Sequence, residues 1–219
     1  SGHDTISGGA GDDVLSGDSQ VNNIQGDAGD DVIRGASGSD ILDGGSHVLG
    51  DELRFDELNG VGVGLDIAAG TATFAADGST DLFTNFEFYV LTQQADNVTG
   101  SVNDDDIQSL GGDDIFLASA GSDTLDGGVG SDTVDYSALA GVGSINVTLT
   151  GAVPTIAQVA GGTNDSLASI ENVIATARKR LREYYHDKGY WDAAIDIVQT
   201  SDSTFENGAR LDIAVAKGS

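Results

Sequence analysis

Apolar residues recur at every ninth position in two stretches of the chain, each as the middle residue of a short triplet. They are Ile6, Leu15, Ile24, Ile33 and Leu42 in the first stretch, and Val98, Ile107, Phe116, Leu125 and Val134 in the second. An Asp or Asn stands two residues before each, and glycine-rich segments such as GGAGDDVLS (8–16) separate the triplets. Glycine permits the positive φ angles of tight turns. The pattern therefore predicts short β-strands, each with its apolar residue pointing inward, joined by tight loops.

The nine-residue unit resembles a known repeat. The segments GGAGDDVLS (8–16), GASGSDILD (35–43) and GGVGSDTVD (127–135) match the pattern G-G-x-G-x-D-x-U-x, where U is apolar. This pattern is similar to the calcium-binding nonapeptide of RTX (repeats-in-toxin) proteins. The resemblance implies a mostly β fold, a right-handed parallel β-roll in which two nonapeptides form one turn and calcium lies between stacked loops. It also implies a bacterial protein that is exported by type I secretion and is extracellular or bound to the cell surface.

The resemblance assigns calcium to the sixth position of the unit, where carboxylates offer the oxygen ligands that this hard cation prefers. The predicted metal ligands are Asp4, Asp13, Asp31, Asp40, Asp96, Asp105, Asp114, Asp123 and Asp132. Sixth positions of every second repeat should face one ion, which pairs Asp13 with Asp31, Asp96 with Asp114, Asp105 with Asp123, and Asp114 with Asp132. We call each stacked loop of the roll, with its sixth residue, a rung. Asn22 occupies the sixth position in GDSQVNNIQ (17–25), so we expect that rung to be structural and to hold little or no ion.

Acidic residues dominate the first 177 positions, which hold 29 Asp and Glu against two basic residues; the whole chain has a formal charge of −27. Such a charge repels nucleic acids and anionic membranes, so neither is an expected partner, and calcium ions are. Two carboxylates about 5 Å apart repel by roughly 3 kcal/mol at an effective dielectric of about 20. We therefore expect this region to fold when calcium neutralises the repulsion. The chain has no cysteine for a disulfide and no long apolar run that would span a membrane.

Two segments that resemble each other interrupt the nine-residue period. DELRFDELNGVGVGLDIAAG from Asp51 aligns with DTVDYSALAGVGSINVTLTG from Asp132, and DLFTNFE from Asp81 aligns with DSLASIE from Asp165. Alternating apolar residues in both copies predict extra strands that continue or cap the roll. The alternative interpretation is a face that binds a carbohydrate or another surface, with Phe88 or Tyr89 exposed.

The composition changes again after residue 177, where seven basic residues balance seven acidic ones and glycine becomes sparse. The predicted domains are 1–45 and 91–135 for the two repeat tracts, 46–90 and 136–177 for the interruptions, and 178–219 for the tail. In the tail, the spacing of Leu181, Tyr184 and Tyr185 predicts a helix, and the alternating segments WDAAIDIVQ and ARLDIAVA predict a β-hairpin. This small α+β unit resembles the second half of a POTRA domain of outer-membrane barrel-assembly proteins. Arg180 stands where the next calcium aspartate is due, which favours a foreign or fused segment over a native cap.

No motif for catalysis is present in the sequence. There is no H-E-x-x-H, no G-x-S-x-G and no cysteine nucleophile, and the paired carboxylates belong to the nine-residue register. Because Ser1 lies inside a repeat, we expect the chain to be part of a longer protein. The main hypothesis is a calcium-binding module without catalytic activity and with an unknown protein or glycan target. The alternatives are an accessory module of a secreted RTX polysaccharide enzyme, protease or lipase, whose catalytic domain lies outside this chain, and a POTRA-like interaction segment of an outer-membrane assembly factor.

Overall fold

In the part of the chain that the structure describes, the strands form two long β-sheets and a two-stranded hairpin. The chain's computed structural model describes residues 2–139, 145–146, 155–159, 164–174, 194–202 and 208–216. The described residues contain strands, turns and bends but no helix, so none of them forms a helix that could cross a membrane. The helix predicted near residues 177–187 lies outside the described residues.

The first repeat tract contributes five strands that alternate between the two sheets. They are β1 (Thr5–Ala10), β2 (Val14–Ser16), β3 (Asn23–Ala28), β4 (Val32–Arg34) and β5 (Ile41–Asp43). Strands β1, β3 and β5 lie side by side in one sheet, and β2 and β4 lie in the other. Ile6 pairs with Ile24, and Ile24 with Leu42, in parallel register, so one turn of the roll consists of two nonapeptides. The predicted parallel β-roll is confirmed.

The second tract repeats this arrangement with β11 (Asn97–Thr99), β12 (Asp106–Gln108), β13 (Ile115–Leu117), β14 (Thr124–Asp126) and β15 (Thr133–Asp135). Val98 pairs with Phe116, and Phe116 with Val134, so each turn again consists of two nonapeptides. Each apolar triplet is too short to be a helix. Its central residue is buried because side chains alternate between the two faces of a strand.

The first interruption continues the roll. Its strands are β6 (Glu52–Arg54), β7 (Val63–Asp66), β8 (Thr71–Phe74), β9 (Thr80–Thr84) and β10 (Phe88–Val90). Strand β9 pairs parallel to β5, β8 runs antiparallel between β9 and β7, and β7 pairs parallel to β11. A three-stranded meander is thus built into the sheet and links the two tracts. Of the proposed binding-face aromatics, Tyr89 is buried and its hydroxyl donates to the Phe86 carbonyl, so the expectation that it is exposed is wrong.

The second interruption has the same plan in the opposite sheet. Its strands are β16 (Ile145–Asn146), β17 (Thr155–Val159), β18 (Asn164–Ala168) and β19 (Asn172–Ile174). Strands β16, β17 and β18 form an antiparallel series, and β18 pairs parallel to β14. The two copies start at Asp51, before β6, and at Asp132, before β15. The chain changes sheet seven times between β6 and β15, and because seven is odd, the copies fall on opposite sheets.

The tail contains the predicted hairpin. Strand β20 (Ala194–Asp202) pairs antiparallel with β21 (Gly208–Ala216) and forms a two-stranded sheet by itself.

The core lies between the two sheets and consists of the apolar eighth residues of the repeats together with apolar residues of the interruptions, such as Phe55 and Phe83. Ile24, Ile33 and Leu42 are fully buried in the first tract, as are Val98, Phe116 and their counterparts in the second. Ile6 and Leu15 are partly buried and pack against this core. Burial of each such side chain stabilises the fold by about 1.5–3 kcal/mol. The loops that connect the sheets stack along the two sides of the roll, and the sixth residues lie there.

Candidate metal centre

A ladder of carboxylates runs along each side of the roll. The backbone N–H of Asp13 donates to Asp31 Oδ1 at 2.8 Å, and that of Asp96 donates to Asp114 Oδ1 at 2.8 Å. Asp105 and Asp123 are joined in the same way at 3.1 Å, and Asp114 and Asp132 at 2.9 Å. The structure therefore brings together all four pairs that the repeat spacing predicted.

The second oxygen of many of these carboxylates is buried without a hydrogen-bond partner. Unpartnered Oδ2 atoms belong to Asp13, Asp31, Asp40, Asp51, Asp81, Asp114 and Asp132. A buried carboxylate oxygen that lacks a donor destabilises the fold unless a cation or a proton compensates it. Such a series of oxygen atoms is typical of side chains that bind cations.

The space beside these oxygens is kept open by glycine. A Cβ atom built on Gly8 would lie 2.7 Å from the Gly26 carbonyl oxygen and 2.8 Å from Asp13 Oδ2. A Cβ on Gly35 would lie 2.8 Å from Asp40 Oδ2 and 2.9 Å from Asp81 Oδ2. Carboxylate and carbonyl oxygens that converge on one small space form the donor set that calcium takes in proteins. The residues present therefore fit calcium.

Three of the predicted ligands are different, because a hydroxyl group already bonds their carboxylate. Thr92 Oγ1 donates to Asp96 Oδ1 at 2.9 Å, and the Thr92 N–H donates to Asp96 Oδ2 at 2.9 Å. Ser101 bonds both oxygens of Asp105 in the same way. Ser119 Oγ donates to Asp123 Oδ2 at 3.1 Å. Each hydroxyl belongs to the second residue of its repeat, four positions before the aspartate. We call these three loops capped.

Five other aspartates belong to loops that we call open, in which the second residue of the repeat lies in the left-handed region. Its φ is 74° at Asp27, 68° at Ala36 and 64° at Leu110, and Gly9 and Gly128 also have positive φ. The aspartates of these loops, Asp31, Asp40, Asp114, Asp13 and Asp132, all have the unpartnered Oδ2. Thr92, Ser101 and Ser119 do not adopt positive φ, because the hydroxyl of each holds the loop in a different turn. The identity of the second residue thus distinguishes two kinds of rung.

Burial raises the pKa of several of these aspartates. The pKa is raised to about 6 for Asp114 and Asp132, and to about 7 for Asp81 and Asp123, mainly by loss of solvent and further by neighbouring carboxylates. A negative charge at these positions is therefore unfavourable without a cation.

The family comparison agrees with this geometry. A family model for the RTX calcium-binding nonapeptide repeat matches the chain in four copies, over residues 1–22, 16–46 and 95–135. These segments are RTX calcium-binding nonapeptide repeats. Repeats of this family bind Ca²⁺ and act as structural calcium-binding modules rather than as catalytic ones. The RTX matches do not reach residues 178–219, and the POTRA resemblance of that segment has no support.

No curated protein matches this chain. Among solved structures, it is similar to the crystal structure of the extracellular lipase LipA from Serratia marcescens, with 16% sequence identity and a TM-score of 0.30. The likeness covers 76% of this chain and 38% of the lipase chain, so the present chain spans well under half of that protein.

Asn22 satisfies its own loop only in part, because its Nδ2 bonds the loop while its Oδ1 is buried without a hydrogen-bond partner. Asn22 Nδ2 donates to the carbonyl oxygens of Gln20 at 2.8 Å and Asp18 at 3.4 Å, so an amide bonds oxygens that could otherwise face a cation. The Asn22 N–H donates to Asp40 Oδ1 at 2.7 Å and so keeps the ladder continuous. This geometry is consistent with a structural rung, and its lack of an ion stays a prediction. Asp4 lies just before β1, where its carbonyl accepts the N–H of Asn23.

Sequence reasoning missed three aspartates of the ladder that joins the sixth positions, which we call the inner ladder: Asp51, Asp81 and Asp165. The Asp40 N–H donates to Asp81 Oδ1 at 2.7 Å, although the residues are 41 positions apart. The Asp31 N–H donates to Asp51 Oδ1 at 2.7 Å across a spacing of 20. The Asp123 N–H donates to Asp165 Oδ1 at 3.1 Å across a spacing of 42. The alignment of the two interruptions was the signal that could have found all three, since each opens one of its matching segments.

A second, outer ladder uses the fifth residue of the RTX unit and was also missed. Asp12 Oδ1 accepts the N–H of Asp30, Asp104 Oδ1 accepts that of Ser122, and Asp113 Oδ1 accepts that of Ser131. Each bond again links one turn of the roll to the next. These aspartates hold adjacent loops in register, so their role here is to position the inner ladder.

Proposed function

We propose that residues 1–177 form a module that is largely unfolded without calcium and folds in millimolar calcium outside the cell. The series of buried, unpartnered Oδ2 atoms on both sides of the roll carries this proposal. The charge distribution supports it, because the same residues have 29 acidic groups and only two basic ones to neutralise them.

The magnitudes are sufficient for such a switch. A site that binds only the folded state adds about 1.4 kcal/mol when calcium is at ten times its dissociation constant. Four sites would add about 5–6 kcal/mol, which is comparable with the whole stability of a small domain. Calcium can therefore decide whether the roll is folded.

The open loops provide the ligands that we assign to calcium. They contribute Asp13, Asp31, Asp40, Asp114 and Asp132 from the predicted set, and Asp81 joins them through its pairing with Asp40. The capped aspartates Asp96, Asp105 and Asp123 contribute less, because Oδ2, the oxygen that would face the ion, already accepts a backbone N–H in Asp96 and Asp105 and a hydroxyl in Asp123.

We further propose that the module belongs to a secreted or cell-surface bacterial protein and has no catalytic activity of its own. Folding that requires millimolar calcium suits the exterior of the cell, and the carboxylate pairs are committed to the ladders rather than to a catalytic constellation.

Far-UV circular dichroism with a calcium titration tests the proposal, and a magnesium titration is the control. Magnesium is smaller and dehydrates reluctantly, so it should not replace calcium among carbonyl ligands. We expect a coil-like spectrum in chelator, a β-rich spectrum in millimolar calcium and little change with magnesium. A spectrum that is β-rich in chelator and indifferent to calcium would refute the switch.

A further inference from the structure

We propose a second kind of metal site on this chain, formed by His47, Asp51 and Glu87 and suited to a transition-metal ion of the zinc class. His47 Nδ1 lies 3.2 Å from Glu87 Oε2 and 3.6 Å from Asp51 Oδ2. One ligand atom from each of the three residues lies within 4.8 Å of the others. This inference goes beyond the calcium module, since it concerns another ion and adds His47 and Glu87. Asp51 is shared between the two, because its Oδ1 accepts the Asp31 N–H in the ladder and its Oδ2 faces His47.

The strongest observation is the state of Asp51. Its side chain is fully buried, and Oδ2, the oxygen that faces His47, has no hydrogen-bond partner. The other oxygen accepts the Asp31 N–H, so the carboxylate cannot rotate to satisfy Oδ2 without breaking the ladder. The Asp51 oxygen and the His47 nitrogen are therefore already positioned as two of the three metal ligands.

The loop that presents His47 is rigidly anchored. Asp30 Oδ1 accepts the backbone N–H groups of Val48, Leu49 and Gly50, at 2.8, 2.7 and 3.2 Å. Glu87 is fixed as well, because its Oε2 accepts the Asp51 N–H at 2.9 Å. Ligands positioned by such neighbours lose little entropy when they bind an ion.

The second interruption provides an internal comparison. There Glu171 Oε2 accepts the Asp132 N–H at 2.8 Å, as Glu87 does with Asp51. However, Asp51 follows Gly44 by seven positions, whereas Asp132 follows Gly127 by only five, and the shorter loop (GGVGSD) has no histidine. The two extra residues of the first loop bring an imidazole to a site that has only oxygen ligands in the second copy.

The donor set decides the class of ion. Calcium prefers six to eight oxygen ligands, whereas one imidazole with two carboxylates suits zinc and related divalent ions. Three protein ligands leave a further position for water. His47 and Glu87 are each about one-third exposed, so an ion can reach the site from solvent.

Isothermal titration of the full chain with Zn²⁺, in calcium that saturates the RTX sites, tests the proposal. We expect one equivalent of Zn²⁺ to bind with no loss of bound calcium. His47→Ala should weaken Zn²⁺ binding by more than about tenfold, since even changes behind a metal ligand cost about 10–100-fold. His3→Ala removes an exposed imidazole elsewhere and should leave Zn²⁺ binding unchanged.

A second pair of variants keeps the test independent of His47. Glu87→Gln should weaken Zn²⁺ binding, while the matched Glu171→Gln should not. Co²⁺ in place of Zn²⁺ should give visible d–d absorption that His47→Ala abolishes. Equal Zn²⁺ affinity in wild type and His47→Ala, or Zn²⁺ that only displaces calcium, would mean that the three residues form an ordinary ion pair and would overturn the proposal.

Discussion

The hydroxyl of Tyr136 donates a 2.6 Å hydrogen bond to Asp165 Oδ2 inside the roll. The corresponding residues of the first interruption are Phe55 and Asp81, and Asp81 Oδ2 has no hydrogen-bond partner. Burial raises the pKa of Tyr136, so the hydroxyl keeps its proton and remains a donor. The two copies thus differ in how the buried carboxylate is compensated. In the second copy a tyrosine hydroxyl bonds it, whereas in the first copy a cation or a proton must compensate it.

Tyr136→Phe should therefore leave Asp165 Oδ2 without a donor and lower the free energy of unfolding in calcium by about 1–3 kcal/mol. Urea unfolding followed by circular dichroism measures this loss. Tyr89→Phe is the control, because that hydroxyl bonds a backbone carbonyl rather than a carboxylate, and its loss should cost about 1 kcal/mol. Wild-type stability in Tyr136→Phe would contradict the importance of this bond.

Open and capped rungs should differ in their dependence on calcium. Asp114→Asn and Asp105→Asn both keep an oxygen that can accept the backbone N–H, but each removes one charge. We expect Asp114→Asn to shift the calcium midpoint of folding several-fold upward, because it removes an unpartnered Oδ2. Asp105→Asn should shift the midpoint much less, because Ser101 already bonds that carboxylate. Equal shifts in the two titrations would show that the hydroxyl cap does not matter.

The position of an aspartate within the ladder should also determine how much bound calcium is lost when it is replaced. Sequence spacing pairs Asp31 only with Asp13 and therefore predicts the loss of one site in Asp31→Ala, against two in Asp114→Ala. The structure adds Asp51 on the other side of Asp31, so Asp31 is an interior member just as Asp114 is. We now expect both variants to lose similar amounts of bound calcium, as measured by calorimetry. A markedly smaller loss in Asp31→Ala would mean that Asp51 does not share an ion with it.

Stability without calcium should fall as pH rises. The folded-state pKa is about 6 to 7 for Asp114, Asp132, Asp81 and Asp123, against 3.8 for an ordinary aspartate. Between these values the folded state holds more protons than the unfolded state, so its stability is greatest at low pH and is lost as pH passes through about 7. In calcium-free buffer, the β-rich fraction should be larger at about pH 5 than at about pH 8. A fraction that rises with pH would contradict the raised pKa values.

Protons and calcium should also compete for the same oxygens. Calcium titrations at constant ionic strength should give a lower midpoint at about pH 8 than at about pH 6, with protons released on binding at the lower pH.

Removal of the tail tests its relation to the roll. If residues 178–219 are a foreign segment, their deletion should leave the calcium midpoint of residues 1–177 unchanged. The isolated tail should then be poorly folded, because a two-stranded hairpin and the helix that the sequence predicts would bury too little core. A large increase in the midpoint on deletion would instead identify the tail as a native cap.

The sequence by itself determined the regular part of this protein. A nine-residue period with an apolar eighth residue predicts short strands with one buried face, and a slip of one residue would turn each apolar side chain to solvent. The resemblance to RTX repeats adds that two nonapeptides form each turn of a parallel roll. The same register is sufficient to place Asp13 opposite Asp31 and Asp114 opposite Asp132. Local spacing is enough there because the partners are a fixed distance apart along the chain.

Only the tertiary structure decided which ladder partners the aspartates of the interruptions meet, because their spacings along the chain are irregular. Asp81 meets Asp40 only because a three-stranded meander returns the chain to the same sheet, and Asp51 meets Asp31 only because its loop is longer. Whether a carboxylate oxygen is free or bonded depends on the position of a hydroxyl four residues earlier, as at Thr92 and Asp96. The cluster of His47, Asp51 and Glu87 likewise has no signature in the sequence, since the bonds that hold its loop come from Asp30 in the preceding turn of the roll.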